Sequence, residues 1–109
     1  MKDDILLVIC TAPNSNEAER IAHLLIEKRL AACCNILPEI SSIYRWQNKI
    51  EAEQETLILI KTVQKKYEQL EKEIKMAHSY SVPEIIAIPV TNQSQAYLDW
   101  VIASTTENK

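Results

Sequence analysis

Three segments of the chain, residues 5–10, 57–60 and 85–88, are apolar at consecutive positions rather than at alternate ones. Successive side chains of a β-strand point to opposite faces of its sheet, so an unbroken apolar run predicts a strand that is buried on both faces. We expect strands over residues 5–11, 32–46, 50–62 and 84–90. Asn48 tolerates the left-handed backbone conformation, and it is the predicted turn between the two long middle strands.

The segments between these strands have apolar residues at helical spacing. Asn14 is the predicted N-cap of a first helix that ends near Leu30, with Glu17 following at the capping-box spacing. Between residues 63 and 77, apolar residues recur three and four positions apart, which predicts a second helix. A short last helix is expected over residues 94–103, with Tyr97, Leu98 and Val101 pointing inward.

The element order is β-α-β-β-α-β with an added C-terminal helix. It predicts an α+β fold, the ferredoxin-like plait, as a single domain over residues 1–109. Right-handed crossovers then give an antiparallel sheet in the order 4-1-3-2, with both main helices on one face. Pro38 and Pro89 fall on the two edge strands of that order, where a missing backbone N–H is tolerated.

The helix-free face of this sheet predicts self-association. It would carry roughly eight to ten large apolar side chains, each worth about 1.5–3 kcal/mol when buried. Leaving them in water would cost more than about 10 kcal/mol, which is comparable with the whole stability of a domain. Tyr44, Arg45 and Trp46 also end the long second strand in an unsupported arm. We therefore expect an obligate homo-oligomer, although periodicity does not give the number of copies.

Composition and charge exclude several classes of protein. The net charge of −3 and the aliphatic central strands argue against a nucleic-acid partner. No segment approaches the ~18 consecutive apolar residues of a membrane span, and the N-terminus is acidic where a signal peptide is basic. Three cysteines, two of them adjacent, favour reduced thiols. The chain has no glycine and hence no phosphate-binding loop. The expected location is the cytoplasm.

One end of the predicted sheet brings together chemically active side chains from distant parts of the sequence. Cys10 and Thr11 end the first strand, His78 ends the second main helix, Glu84 begins the fourth strand, and Tyr80 lies between the last two. A cysteine with a histidine suits copper or zinc, or it can form a thiolate nucleophile with its base. The competing interpretations are a buried core thiol for Cys10 and a cation at a helix C-terminus for His78.

Two further residues are placed differently by the same topology. Trp46, near the tip of the hairpin, is expected to pack at a subunit interface. Lys61 ends the third strand at the opposite end of the sheet, so it could join the site only across a subunit boundary.

These residues lie in segments that resemble the CutA divalent-cation tolerance family. The matching segments are residues 10–13, 30–33, 42–46, 60–62, 78–84, 89–90 and 97–100. The resemblance implies a ferredoxin-like domain assembled as a compact trimer, similar to the PII signalling proteins, with a cytoplasmic role linked to copper and other divalent metal ions. It also implies copper ligands at Cys10 and His78, with Ala77 at the position of a further family histidine, and a cleft at Lys61, Tyr80 and Glu84.

The sequence therefore predicts a non-enzymatic, trimeric, cytoplasmic protein that binds divalent metal ions and requires no cofactor. The predicted contacts to a Cu or Zn ion are Cys10, His78 and Glu84, and the predicted inter-subunit cleft contains Thr11, Trp46, Lys61 and Tyr80. The first alternative is a PII-like sensor of a small anion or metabolite in that cleft. The others are an enzyme with Cys10 as nucleophile and a scaffold for a partner protein. No nucleic-acid or membrane partner is expected.

Overall fold

The structure is a computed structural model that describes residues 4–107. Its strands are β1 (Ile5–Ala12), β2 (Cys33–Trp46), β3 (Lys49–Val63) and β4 (Ile85–Pro89), and its helices are α1 (Ser15–Glu27), α2 (Tyr67–Ala77) and α3 (Gln95–Ser104). This is the predicted α+β element order. The ends of the predicted domain, residues 1–3 and 108–109, lie outside the described residues.

The four strands form one antiparallel sheet in the order β2-β3-β1-β4, which confirms the predicted topology. Pro38 and Pro89 lie on the edge strands, as expected. The pairing of β2 with β3 shifts register between Leu37 and Ile40, where Glu39 has a φ of 62°. The register shift lies next to Pro38, at the kind of irregularity where β-strands commonly bend.

The absence of glycine is visible in the backbone. Four described residues, Arg29, Glu39, Gln47 and Asn48, have positive φ values. Gln47 and Asn48, at 51° and 66°, form a two-residue turn between β2 and β3, where a type I′ turn requires positive φ at both positions. The turn at Asn48 is thus confirmed, and Gln47 shares a conformation that costs a non-glycine residue about 1–2 kcal/mol.

The helix boundaries differ slightly from the predicted ones. The Asn14 side chain accepts a hydrogen bond from the Glu17 N–H at 2.8 Å, which confirms the N-cap. Helix α1 ends at Glu27 rather than near Leu30, because Arg29 takes a left-handed φ of 56°. Helix α2 begins at Tyr67 rather than at Val63, since β3 continues to Val63 and a 3₁₀ turn (Gln64–Lys66) follows it.

The main core lies between the sheet and helices α1 and α2, both on one face. The sheet contributes Leu6, Val8, Cys10, Ile58 and Ile60, and the helices contribute Ala18, Ile21, Leu25, Leu70 and Ile74. A smaller cluster joins Val101 of α3 to Ile5, Ala32 and Val63. Ile5 and Val63 are paired, and they alternate with the core-facing residues of their strands. Helix α3 therefore covers one end of the face that α1 and α2 leave open.

The rest of that open face remains apolar. The strand alternation places Leu7, Ile9, Leu57 and Leu59 there, all only partly buried. Leu37, Ile86 and Ile88 on the edge strands are 42%, 52% and 47% exposed. No helix within residues 4–107 is both long and apolar enough to cross a membrane.

Candidate functional site

A cleft of about 810 Å³ opens where the β2–β3 hairpin extends past the end of β1. Strand β1 ends at Ala12, which pairs with Thr56, so among the described residues the part of β3 before Thr56 has no paired strand on that side. Segment 80–84, which leads into β4, forms the opposite wall. The lining residues are Thr11, Ser41, Ser42, Ile43, Tyr44, Trp46, Glu51, Glu53, Glu55, Tyr80, Ser81, Val82 and Glu84.

The cleft is acidic. Glu51, Glu53 and Glu55 occupy alternate positions of β3 and hence the same face of the strand, and Glu84 adds a fourth carboxylate. None of the described lining residues is a lysine or an arginine. A cleft lined by charges of one sign attracts ligands of the other sign. The charge of this cleft therefore favours a cation.

Two tyrosines donate hydrogen bonds to these carboxylates. The Tyr80 hydroxyl donates to Oε2 of Glu55 at 2.7 Å, and the Tyr44 hydroxyl donates to Oε1 of Glu53 at 2.6 Å. Burial and the bond to Glu55 raise the pKa of Tyr80. The bond to Glu53 raises the pKa of Tyr44 to about 12. Both phenols therefore stay neutral donors at physiological pH. Glu55 itself is only 7% exposed, so its carboxylate is the deepest acidic group of the cleft.

Cys10 lies behind the cleft rather than in its lining. Its side chain is 0% exposed and belongs to the core under α1 and α2. The Sγ atom donates to the carbonyl of Thr11 at 3.7 Å. Burial raises the pKa of the Cys10 thiol to about 12, with further contributions from the charges of Glu84, Glu17 and Glu55. A thiol in this environment is protonated at neutral pH, which does not support the alternative of a nucleophilic enzyme.

His78 follows the last turn of α2, and its side chain is fully buried. Its Nε2 faces the Thr11 carbonyl at 2.7 Å, and its Nδ1 faces the Tyr80 N–H at 3.1 Å. A carbonyl only accepts and an N–H only donates, so Nε2 carries the proton and Nδ1 accepts. Both ring nitrogens are thus engaged, and a metal ion would have to displace one of these partners.

The predicted site residues separate into three places. Thr11, Trp46, Tyr80 and Glu84 line one cleft together. Cys10 and His78 lie next to it in the interior. Lys61 lies towards the other end of the sheet, where its Nζ donates to Oδ1 of Asn35. Within residues 4–107, no three His, Cys, Asp or Glu side chains form a group that could hold a metal ion. A Cu or Zn ion at Cys10, His78 and Glu84 therefore stays a prediction.

The sequence reasoning missed the three cleft glutamates of β3. Their spacing was the available signal, because Glu51, Glu53 and Glu55 alternate within a predicted strand and so must share a face. It also missed the contact between Glu17 and Ser79, in which Oε2 of Glu17 accepts hydrogen bonds from both the N–H and the Oγ of Ser79 at 2.9 Å. No local pattern relates residues that far apart in the sequence.

The fold and the cleft define a small α+β sheet protein with an acidic cleft beside a long hairpin. Residues 6–104 match the family model described as CutA1 divalent ion tolerance protein. The divalent-cation tolerance protein CutA of Thermus thermophilus is 43% identical over 99 residues, which cover 91% of this chain and 96% of that protein. The chain belongs to the CutA1 divalent ion tolerance family.

Other relatives and solved structures agree with this assignment. The chloroplastic protein CutA of Arabidopsis thaliana is 40% identical over 92% of this chain, which spans 55% of that longer protein. The crystal structure of CutA1 from Ehrlichia chaffeensis has a TM-score of 0.91 at 34% identity, covering 95% of this chain and 97% of that one. The periplasmic divalent cation tolerance protein CutA from Archaeoglobus fulgidus has a TM-score of 0.91 at 42% identity, covering 94% and 99%. These names refer to different compartments, so a cytoplasmic location stays a prediction.

Proposed function

We propose that this chain acts in divalent-cation tolerance by binding a divalent metal ion at the acidic cleft of a cytoplasmic homotrimer. The observation that carries the proposal is the charge of the cleft: Glu51, Glu53, Glu55 and Glu84 line it without any lysine or arginine among the described lining residues. Carboxylate and hydroxyl oxygens are ligands for hard divalent cations, and zinc also accepts carboxylates.

A neighbouring subunit completes the proposed site. No three of the potential ligands in residues 4–107 of one chain are grouped closely enough for a metal. The cleft lies beside the projecting hairpin, which carries the exposed side chains of Ile43, Trp46 and Ile50. Such an arm is stable only when it packs on something, and another copy of the chain is the simplest partner. The open apolar face of the sheet supports the same assembly.

The ligands implied by the family resemblance form a second candidate set. Cys10 and His78 are soft or borderline donors, which suit copper better than carboxylates do. For copper to bind there, the Cys10 thiol would have to lose its proton and the His78 ring would have to release Thr11 or Tyr80. The two sets therefore predict different metals and different sensitive residues.

Isothermal titration of the reduced protein with Zn²⁺ and Cu⁺ separates the two sets. With Glu51→Gln combined with Glu53→Gln, we expect at least about tenfold weaker Zn²⁺ binding, since two charged ligands are lost. Glu19→Gln removes one exposed carboxylate from α1 and is the matched control. Unchanged Zn²⁺ affinity in the double variant would contradict binding at the cleft. A loss of metal affinity that is confined to the Cys10→Ala and His78→Ala variants would assign the metal to the second set.

The alternative of a sensor for a small anion is less well supported. Four carboxylates repel an anion, and Lys61, the cation expected in the predicted cleft, does not line the cleft of its own chain. An anion would need Lys61 from a neighbouring subunit. A thermal-shift screen that compares anions with divalent metal ions as ligands tests this alternative, because a bound ligand raises the melting temperature in proportion to its affinity. A scaffold role would instead give no shift with either class.

A further inference from the structure

Glu17 lies in the first turn of α1, but its side chain makes hydrogen bonds that capping of the helix does not require. Its side chain is only 10% exposed. The capping-box spacing predicts that it reaches back to its own N-cap, yet Oε2 accepts both hydrogen bonds of Ser79, from the N–H and from Oγ, at 2.9 Å. Ser79 lies 62 residues further along the chain. The side chain thus links α1 to the segment that follows α2.

That segment, residues 78–84, contains no helix or strand of its own. Its first residue is held by a backbone hydrogen bond from the His78 N–H to the Ile74 carbonyl, and side-chain hydrogen bonds help to fix the rest. Besides the link from Ser79 to Glu17, the Tyr80 N–H donates to His78, and the Tyr80 ring packs on the His78 ring with centroids 4.7 Å apart. The Tyr80 hydroxyl then reaches Glu55 in the cleft.

We propose that Glu17 is a positioning residue for the acidic cleft: by holding Ser79, it fixes the adjacent Tyr80 so that the Tyr80 hydroxyl orients the Glu55 carboxylate towards a bound cation. This inference rests on the proposed binding of divalent cations at the cleft. A hydrogen-bonded group behind a metal ligand commonly controls affinity, because it holds the ligand in the orientation that the ion needs.

The charge state of Glu17 suits this role. Burial by itself would raise its pKa, but the two hydrogen bonds from Ser79, together with the nearby Arg20, outweigh burial and lower it. The group is therefore ionised at neutral pH, and a charged acceptor makes stronger hydrogen bonds than a neutral one. Arg20 holds the other oxygen loosely, at 3.9 Å from Oε1.

The experiment compares Glu17→Ala, Glu17→Gln and Tyr80→Phe, with Glu19→Ala as the control on the exposed side of the same helix. Zn²⁺ affinity is measured by titration, and exchange of the Ser79 and Tyr80 amide protons is measured by NMR. We expect Glu17→Ala to speed Ser79 exchange and to weaken Zn²⁺ binding about tenfold. Glu17→Gln keeps one acceptor oxygen and should retain most of the Ser79 amide protection and most of the Zn²⁺ affinity. Glu19→Ala should change neither the amide exchange nor the affinity.

The decisive comparison is the double variant. If Glu17 acts through Tyr80, then Glu17→Ala combined with Tyr80→Phe binds Zn²⁺ as weakly as Tyr80→Phe alone. Additive losses, or unchanged Ser79 exchange in Glu17→Ala, would overturn the inference. If Glu17→Ala does not fold, Ser79→Ala removes one of the two hydrogen bonds and is tested in the same cycle. Failure of the native protein to bind Zn²⁺ would refute the proposed function, while amide exchange would still decide whether Glu17 holds Tyr80.

Discussion

The Cys10 thiol should react unusually slowly with a labelling reagent, and this rate tests the buried position that the structure gives it. The clean perturbation is a chain with Cys33→Ser and Cys34→Ser, in which Cys10 is the remaining thiol. Burial raises the Cys10 pKa from 9.0 to about 12. Since each pKa unit is a factor of ten in thiolate, the reactive fraction at pH 8 is about a thousandfold smaller than that of an ordinary cysteine.

The pH dependence gives the sign of the effect. The rate of disulfide exchange with an aromatic disulfide reagent should keep rising tenfold per pH unit through pH 10, because the thiol is still protonated there. The same protein unfolded in guanidinium should level off near pH 9. Because the folded pKa is raised, the contribution of the buried thiol to stability is complete below pH 9 and is lost as the pH rises towards about 12.

A fast reaction of native Cys10 that levels off near pH 9 would refute this reasoning. It would mean that the thiol is accessible and ionises normally, and it would restore the interpretation of Cys10 as a nucleophile or a ready metal ligand. Labelling at the slow rate of global unfolding would instead confirm a core thiol.

Three further predictions concern assembly and stability. Ile86→Asp on the open face of the sheet should lower the sedimentation coefficient to that of a single subunit, whereas Met76→Asp, exposed on α2, should not; an unchanged Ile86→Asp assembly would contradict the proposed interface. Asn48→Ala should lower the free energy of unfolding by about 1–2 kcal/mol in a urea titration, because alanine resists its φ of 66°, and Asn48→Gly should not. Ile58→Ala should cost about 2–5 kcal/mol in the same titration, while a similar cost for exposed Met76→Ala would contradict the assigned core.

Much of the fold could be predicted because its signals are local. The unbroken apolar runs predicted the strands of the sheet, the spacing around Asn14 predicted the start of α1, and Pro38 and Pro89 identified the edge strands. Each of these patterns reports what a residue needs from its immediate neighbours. The same reasoning predicted that Thr11, Tyr80 and Glu84 would meet, because the topology brings the ends of their elements together.

Other features depend on lengths and registers that no local pattern records. Tyr97 was predicted to point inward, but it is 37% exposed and its ring lies 5.6 Å from the tilted ring of Trp100. Of the α3 residues, only Val101 is fully buried. The chemistry of Cys10 was open in the sequence, and its burial under α1 and α2 decided its protonation.

The sequence by itself determined the order of the elements, the sheet topology and the apolar character of both sheet faces, because hydrophobic periodicity is written residue by residue along the chain. Only the tertiary structure decided that β3 runs past β1 to leave an acidic cleft, and that Glu17 holds Ser79 beside it. Both features arise from contacts between residues far apart in sequence, whose distances are set by the packing of the whole domain.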